Sequence, residues 1–260
     1  MGDTVLYERD GHVATITYNR PEVLNAINGA LRQDLNAAWE RFRDDTEAWV
    51  AIVTGAGRAF CVGADLNDGA GSAGSWPGSF WEIPTINSFE SGLESGTPTR
   101  AAGNGDCRGY GLTLVAACDF VIAADDAQFG MPEVRLGVPT VVGAIRLPQR
   151  IGMQPALELL LTGDRVDASR AAAIGLAGRV VPRRELLSAA RELAGRLCAG
   201  APLAVRAVKE MAYRGQQLSW VDAVRMGEAI RRLCVSLSPE DVAEGRAAIA
   251  EGREPRWRAR

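Results

Sequence analysis

NGDCRGYGLTLVAACDFVIA at residues 104–123, followed by AQFGMPEVRLGV at 127–138, is the stretch that decides the fold. Gly105, Gly109 and Gly111 crowd a short loop just before an apolar run that predicts a helix ending near Cys118. Asp119 to Ala123 (DFVIA) predicts a strand, and Ala127 to Phe129 a second, shorter one, leading into Gly130-Met131-Pro132-Glu133. The same alternation holds upstream. VATITY at 13–18 predicts a strand, Asn28 a helix cap, and Leu31, Leu35, Ala38, Trp39 and Phe42 recur at helical spacing. Val50 to Thr54 (VAIVT) predicts a buried strand closed by Gly55. Strand–helix–strand followed by strand–loop–helix over 99–118 is the signature of an α/β chain with a parallel or mixed sheet.

Outward from this core, 67–80 (NDGAGSAGSWPGSF) reads as a Gly/Ser-rich loop, and a helical segment follows near 82–95. From about 141 the character turns helical, over 153–161, 167–174, 183–199, 202–215, 218–235 and 239–250. Leu186, Leu187, Ala190, Leu193, Ala194 and Leu197 form an apolar stripe on the longest of these. The chain divides into an α/β core at 1–190 and a helical region at 191–260. Val205, Val208, Met211 and Ala212 give that region apolar faces that require burial on the core or on another subunit.

Composition excludes several function classes. With 29 basic and 32 acidic residues the chain lacks the basic excess of a nucleic-acid-binding surface. Five cysteines, odd in number and without a CxxC pair, predict reduced thiols in a cytoplasmic protein rather than a disulfide framework or a zinc site. The start, MGDTVLYERDGH, does not read as a signal peptide. The apolar run from Leu112 to Ala124 is broken by Asp119 and is too short for a membrane span. Gly69, Gly71 and Gly74 spell GxGxxG, but neither a strand before nor a helix after supports dinucleotide binding. There is no phosphate-binding GxxxxGK[ST] and no GxSxG. His12 is the single histidine, so neither a Ser-His-Asp hydrolase nor a catalytic metal is expected.

Two glycine-containing bends and one carboxylate remain. GRAFCVGADL (57–66) follows a strand, and NGDCRGYGLTL (104–114) precedes a helix. Small residues allow a ligand close to backbone amides, and a helix start offers unpaired N–H groups. Two such bends facing one point would hold a developing oxyanion. On the residues alone they serve equally well as tight strand-to-helix turns, and Glu133 as a surface carboxylate.

At these residues the sequence resembles the crotonase, or enoyl-CoA hydratase/isomerase, family. RPEVLNA (20–26) is similar to its entry loop, 57–66 to its first oxyanion and CoA-binding loop, 104–123 to its NGxxxGGGxxLxxxCDxxxA passage and 127–138 to AxFxxPExxLG. RLPQRIG, LLLTGDRVDASRAAAIGLAGRVVP and SPEDVAEGRAAIAEGREPRW follow in family order, so the likeness spans about 5–257.

The resemblance implies a spiral of ββα turns with a helical C-terminal region that builds a trimer or a dimer of trimers. It implies an acyl-CoA thioester as substrate, with coenzyme A part of that substrate and no separate cofactor. The implied oxyanion donors are the N–H groups of Ala64 and Tyr110, the implied base is Glu133, and Leu24, Ala26, Val62, Asp65 and Leu66 fall on the CoA path. Thr113 stands where hydratases of the family carry a first glutamate, and Tyr110 where glycine is usual. Ile249 and Gly252 replace a common aromatic and lysine of a tail that often touches CoA. The implied activity is an enoyl-CoA hydratase-type reaction through a stabilised enolate. Thr113 paired with Glu133 also resembles hydroxycinnamoyl-CoA hydratase-lyases, a single glutamate suits Δ3,Δ2-enoyl-CoA isomerisation, and the departures leave a non-catalytic CoA-binding or scaffold role as a further alternative.

Overall fold

The computed structural model describes residues 3–68, 89 and 96–259. The glycines at 69, 71 and 74 and nearly all of the helical segment expected near 82–95 lie outside the described residues.

The chain opens with β1 (Val5–Asp10) and β2 (Val13–Tyr18), an antiparallel hairpin turned at Gly11, whose φ is 55°. The charged β1 was not expected from its sequence. It forms the sheet edge and buries only Val5 and Tyr7, so its apolar signal is weak. Helix α1 (Gly29–Asp44) starts at Asn28, whose side chain accepts a hydrogen bond from Leu31 N at 2.9 Å. Such a cap contributes about 1 kcal/mol. The five apolar positions anticipated on α1 are all buried.

β3 (Val50–Gly55) lies parallel to β2 and is buried throughout, as a strand covered on both faces must be. Then the spiral begins. β3 is followed by β4 (Ala59–Cys61); β5 (Thr99–Gly103) by β6 (Asp106–Arg108) and α2 (Tyr110–Ala117); β7 (Phe120–Ala124) by β8 (Gln128–Gly130). In each turn the first strand joins one sheet and the second joins another. With β10 (Arg179–Val181) the six-stranded sheet has the order β1-β2-β3-β5-β7-β10, and with β9 (Arg165–Asp167) the four-stranded sheet has the order β4-β6-β8-β9. β9 and β10 flank α5 (Ala168–Ala173). Because the strands from β3 to β8 pair in parallel within each sheet, the bends after β3 and after β5 emerge on one edge of the stack.

A 3-10 turn (Pro132–Leu136) leads into α3 (Val142–Ile151) and α4 (Met153–Thr162). α3 was not expected, since Gly143 and Pro148 interrupt its sequence; burial of Gly143, Leu147 and Ile151 holds it in place. α6 (Leu186–Cys198) is continuous across residue 190 and lays Leu186, Ala189, Ala190 and Ala194 on the six-stranded sheet. α7 (Pro202–Gly215) and α8 (Trp220–Leu237) pack on one another, and α8 has no buried residue. α9 (Pro239–Glu251) is met by the returning tail, where Asp241 accepts from Arg258 N and Ala259 N at 2.8 and 3.1 Å. Among the described residues no helix is long and apolar enough to cross a membrane.

Candidate functional site

The bend after β3 is held by two asparagines distant in sequence. Asn25, fully buried at a left-handed φ of 58°, donates to Ala56 O at 3.0 Å and Ala59 O at 2.9 Å, and accepts from Arg20 N at 2.9 Å. Asn104 donates to Gly55 O at 2.7 Å and Gly57 O at 3.0 Å, and accepts from Gly55 N at 3.1 Å. Five backbone groups of a tight turn thus gain partners that no strand supplies. Both asparagines sit in the motifs read from sequence. Their bonding was not legible there, because the acceptors lie more than 30 residues away.

Past this bend, loop 61–66 is stitched to the entry loop 20–27. Val62 N donates to Leu24 O at 3.3 Å, Ile27 N to Gly63 O at 2.8 Å, and Asp65 N to Ile27 O at 3.0 Å. Ile27 thereby bonds the residues on either side of Ala64, and the N–H of Ala64 faces away from that ladder. Arg20 locks the loops from outside, donating to Ala26 O at 2.6 Å and pairing with Asp65 at 3.1 Å. Of the residues assigned to the CoA path, Leu24 takes a left-handed φ of 55°, Ala26 is buried, Val62 and Asp65 are half-buried, and Leu66 is 78% exposed at the lip.

The two bends meet at glycines. Gly63, with φ 97°, backs onto the second bend so closely that a Cβ there would lie 3.2 Å from Arg108 O and 3.6 Å from Tyr110 N. Gly111 packs against the Cys61 carbonyl where no side chain fits. Ala64 and Tyr110 are therefore brought to neighbouring positions, with Tyr110 the first residue of α2, at the end where a helix directs its N–H groups outward. The Arg32 guanidinium of α1 stacks on the Tyr110 ring, 4.8 Å from its centroid, and tethers the phenol.

Glu133 reaches the same point from the 3-10 turn. Pro132 begins that turn and Gly137, at φ 74°, ends it. The carboxylate lies against Gly109, where a Cβ would come within 2.7 Å of Glu133 Oε1. Glu133 Oε2 is buried without a hydrogen-bond partner among the described residues. Burial pushes the carboxyl above the ordinary glutamate range, opposed by a backbone hydrogen bond. Thr113 is buried one turn into α2, its hydroxyl 3.5 Å from Gly109 O. Gly143 of α3 covers it, since a Cβ there would sit 3.2 Å from Thr113 Oγ1. Tyr110, Thr113 and Glu133 thus lie about the Gly109 backbone, with Gly63, the neighbour of Ala64, packed against it, whereas Ile249 is 85% exposed on α9 and Gly252 ends that helix at φ 64°.

His12 lies at the other end of the strands, in the turn before Val13, stacked on Trp49 at 3.5 Å. Among the described residues no group of three or more His, Cys, Asp or Glu is arranged to hold a metal.

The fold is shared with solved enoyl-CoA hydratases. The enzyme of that name from Mycobacterium tuberculosis H37Rv superposes with a TM-score of 0.89 at 34% identity, over 100% of both chains. A probable enoyl-CoA hydratase of Mycobacterium tuberculosis is 37% identical over 260 residues, covering 98% of each chain. A carnitinyl-CoA dehydratase of Proteus mirabilis is 37% identical over 254 residues, covering 96% of each. The sequence model of the enoyl-CoA hydratase/isomerase family matches residues 8–260, and this chain belongs to that family.

Proposed function

We propose that the protein is an enoyl-CoA hydratase-type lyase acting on an acyl-CoA thioester. The observation that carries this reading is the carboxylate oxygen of Glu133, buried and unpartnered among the described residues, beside Gly109, where the bends of Ala64 and Tyr110 adjoin. In this reading the N–H groups of Ala64 and Tyr110 hold the thioester oxygen. Charge arriving there meets fixed dipoles, and loss of one such donor typically costs about 3–4 kcal/mol. The Glu133 carboxylate takes a proton from water as the water oxygen bonds to Cβ. The double-bond electrons move onto the thioester oxygen as an enolate, and the same carboxyl returns the proton to Cα. The raised Glu133 pKa suits both halves of that exchange. Thr113 replaces a second carboxylate and positions the water or substrate through its hydroxyl. The residues on the entry and first loops, Leu24, Ala26, Val62, Asp65 and Leu66, carry the CoA moiety.

The test is turnover of crotonyl-CoA, longer enoyl-CoAs and aromatic enoyl-CoAs by purified protein. Hydration that Glu133→Gln abolishes supports the assignment; undiminished activity in that variant contradicts it. Hydration followed by carbon–carbon cleavage of an aromatic substrate identifies the hydratase-lyase variant.

A second reading rests on Thr113 in the place of a second carboxylate. With one acid, removal and return of a proton accounts for Δ3,Δ2-enoyl-CoA isomerisation, visible as turnover of a 3-enoyl-CoA without water addition. Binding of acyl-CoA by calorimetry with no turnover across the panel would instead mark a non-catalytic CoA-binding member. A trimer or dimer of trimers is part of the proposal. α8 buries nothing and exposes Trp220 (83%), Val221 and Val224, while α3 exposes Ile145. Sedimentation velocity reads the oligomer directly. The free cysteines fit a cytoplasmic setting.

A further inference from the structure

Arg100 occupies a place where a guanidinium needs a reason. It lies on β5, every residue of which is buried, and is itself 1% exposed. One amino group donates to Ala190 O of α6 at 3.0 Å, and the guanidinium carbon sits 5.6 Å from the Phe120 ring centroid. The Nε is buried with no acceptor, and no carboxylate among the described residues forms an ion pair with Arg100. A buried charge with no carboxylate in direct contact is costly.

The surroundings make the deficit larger. Arg100 lines a 300 Å³ cleft together with Arg150, Arg179 and Arg196, and among the described residues two carboxylates share its wall, Asp119 and Glu192. Glu192 is engaged by Arg179 at 3.2 Å. Asp119 is engaged by Lys209 and Tyr213, both at 2.8 Å, and by the hydroxyl and N–H of Thr99. Arg150 donates to Cys118 O at 2.6 Å, and its Nε is buried without a partner among the described residues. Burial first, then the repulsion of Arg179, pulls the Arg100 pKa down to about 10; Glu192 opposes the shift, Arg196 adds to it, and the group stays charged at neutral pH. Among the described residues that line it, four arginines against two acids leave the cleft with an excess of two positive charges.

We propose that this cleft binds a phosphoryl dianion, either inorganic phosphate or the phosphate of a small phosphomonoester, with Arg100 at its base and Arg179 and Arg196 at its mouth. A phosphate ester carries close to two negative charges near neutrality, which matches the excess. Planar guanidinium forks suit its oxygens. The volume falls at the small end of ligand sites, room for a phosphoryl group with a short substituent. The cleft lies where β5, β7 and β10 begin, at the opposite ends of the strands from the Gly109 site, so the two ligands do not compete for space.

The experiment is thermal unfolding of the full chain in inorganic phosphate against sodium chloride at matched ionic strength and pH. Glycerol phosphate in place of phosphate forms the second arm. Phosphate also stabilises folds by exclusion from their surface, so the readout is a saturable rise and its dependence on Arg100. The parent is expected to show that rise. Arg100→Leu is expected to be at least as stable in chloride, because a buried charge is removed, and to bind phosphate about tenfold or more weakly by calorimetry. The exposed Arg196→Gln, which leaves the core untouched, is expected to weaken the rise and carries the comparison should Arg100→Leu not fold. A larger rise with glycerol phosphate assigns the site to phosphomonoesters, and an equal or smaller one to the free ion. The proposal is overturned if phosphate raises the parent's Tm no further than chloride does, or if the soluble variants keep the full rise.

Discussion

The bend after β3 and the 3-10 turn that carries Glu133 lie on the same edge of the molecule and treat buried polar groups in opposite ways. In the bend, Asn25 and Asn104 supply partners to backbone groups at Gly55, Ala56, Gly57 and Ala59, several with two bonds converging on one turn. In the turn, the Glu133 carboxylate is brought against bare glycine backbone and one oxygen is left without a partner among the described residues. The first arrangement fixes a shape. The second leaves unspent bonding capacity on the group proposed to meet the substrate. The difference separates residues that position the site from residues proposed to react in it, although both kinds lie within the same family motifs.

That contrast is broken most easily at Glu133. Glu133→Gln is expected to lower kcat by about 10²–10⁴-fold while the fold persists, measured by turnover beside thermal unfolding. Linkage sharpens it. The folded carboxyl has its pKa raised by burial, so the ionised form burdens the folded state above that pKa and the burden vanishes where the group is protonated. Glu133→Gln should therefore hold or raise Tm at neutral pH and match the parent at acid pH. With Glu133 as base, the acid limb of kcat/KM should lie above the ordinary glutamate range.

Asn104→Ala is expected to do the reverse. Orphaning the carbonyls of Gly55 and Gly57 should cost about 2–3 kcal/mol of stability in a denaturant titration, with activity falling as the loop loses its place. Gly109→Ala tests where the two regions touch. At φ 54° and ψ −123°, a region side-chain-bearing residues rarely adopt, alanine carries about 1–3 kcal/mol of strain, and the new methyl displaces the carboxylate, so activity should fall more than stability. The smallest effect is expected at Thr113. Its hydroxyl makes one long bond within α2, and Thr113→Ala should lower kcat by less than about tenfold with KM nearly unchanged.

Much of this was legible in the sequence, and the reasons differ by element. α1, β3 and α7 were read nearly to their ends because a single face or a full burial repeats at one period. β1 escaped because charged residues fill an edge strand, and α3 because glycine and proline punctuate a helix that tertiary packing rescues. β9 and β10, three residues each, are too short to show a period and exist through their neighbours' ladders. At the site, the motifs pointed to Ala64, Tyr110, Thr113 and Glu133. The clamping by Asn25 and Asn104 and the contact of Gly109 with Glu133 depend on segments the chain brings together only on folding.

A crystal structure with an acyl-CoA analogue bound tests the central claim most directly. The account predicts the thioester oxygen about 2.7–3.1 Å from both Ala64 N and Tyr110 N, with the Glu133 carboxylate facing the α- and β-carbons. A thioester bound elsewhere, or one whose oxygen meets neither amide while Glu133 points away from the acyl chain, would contradict it.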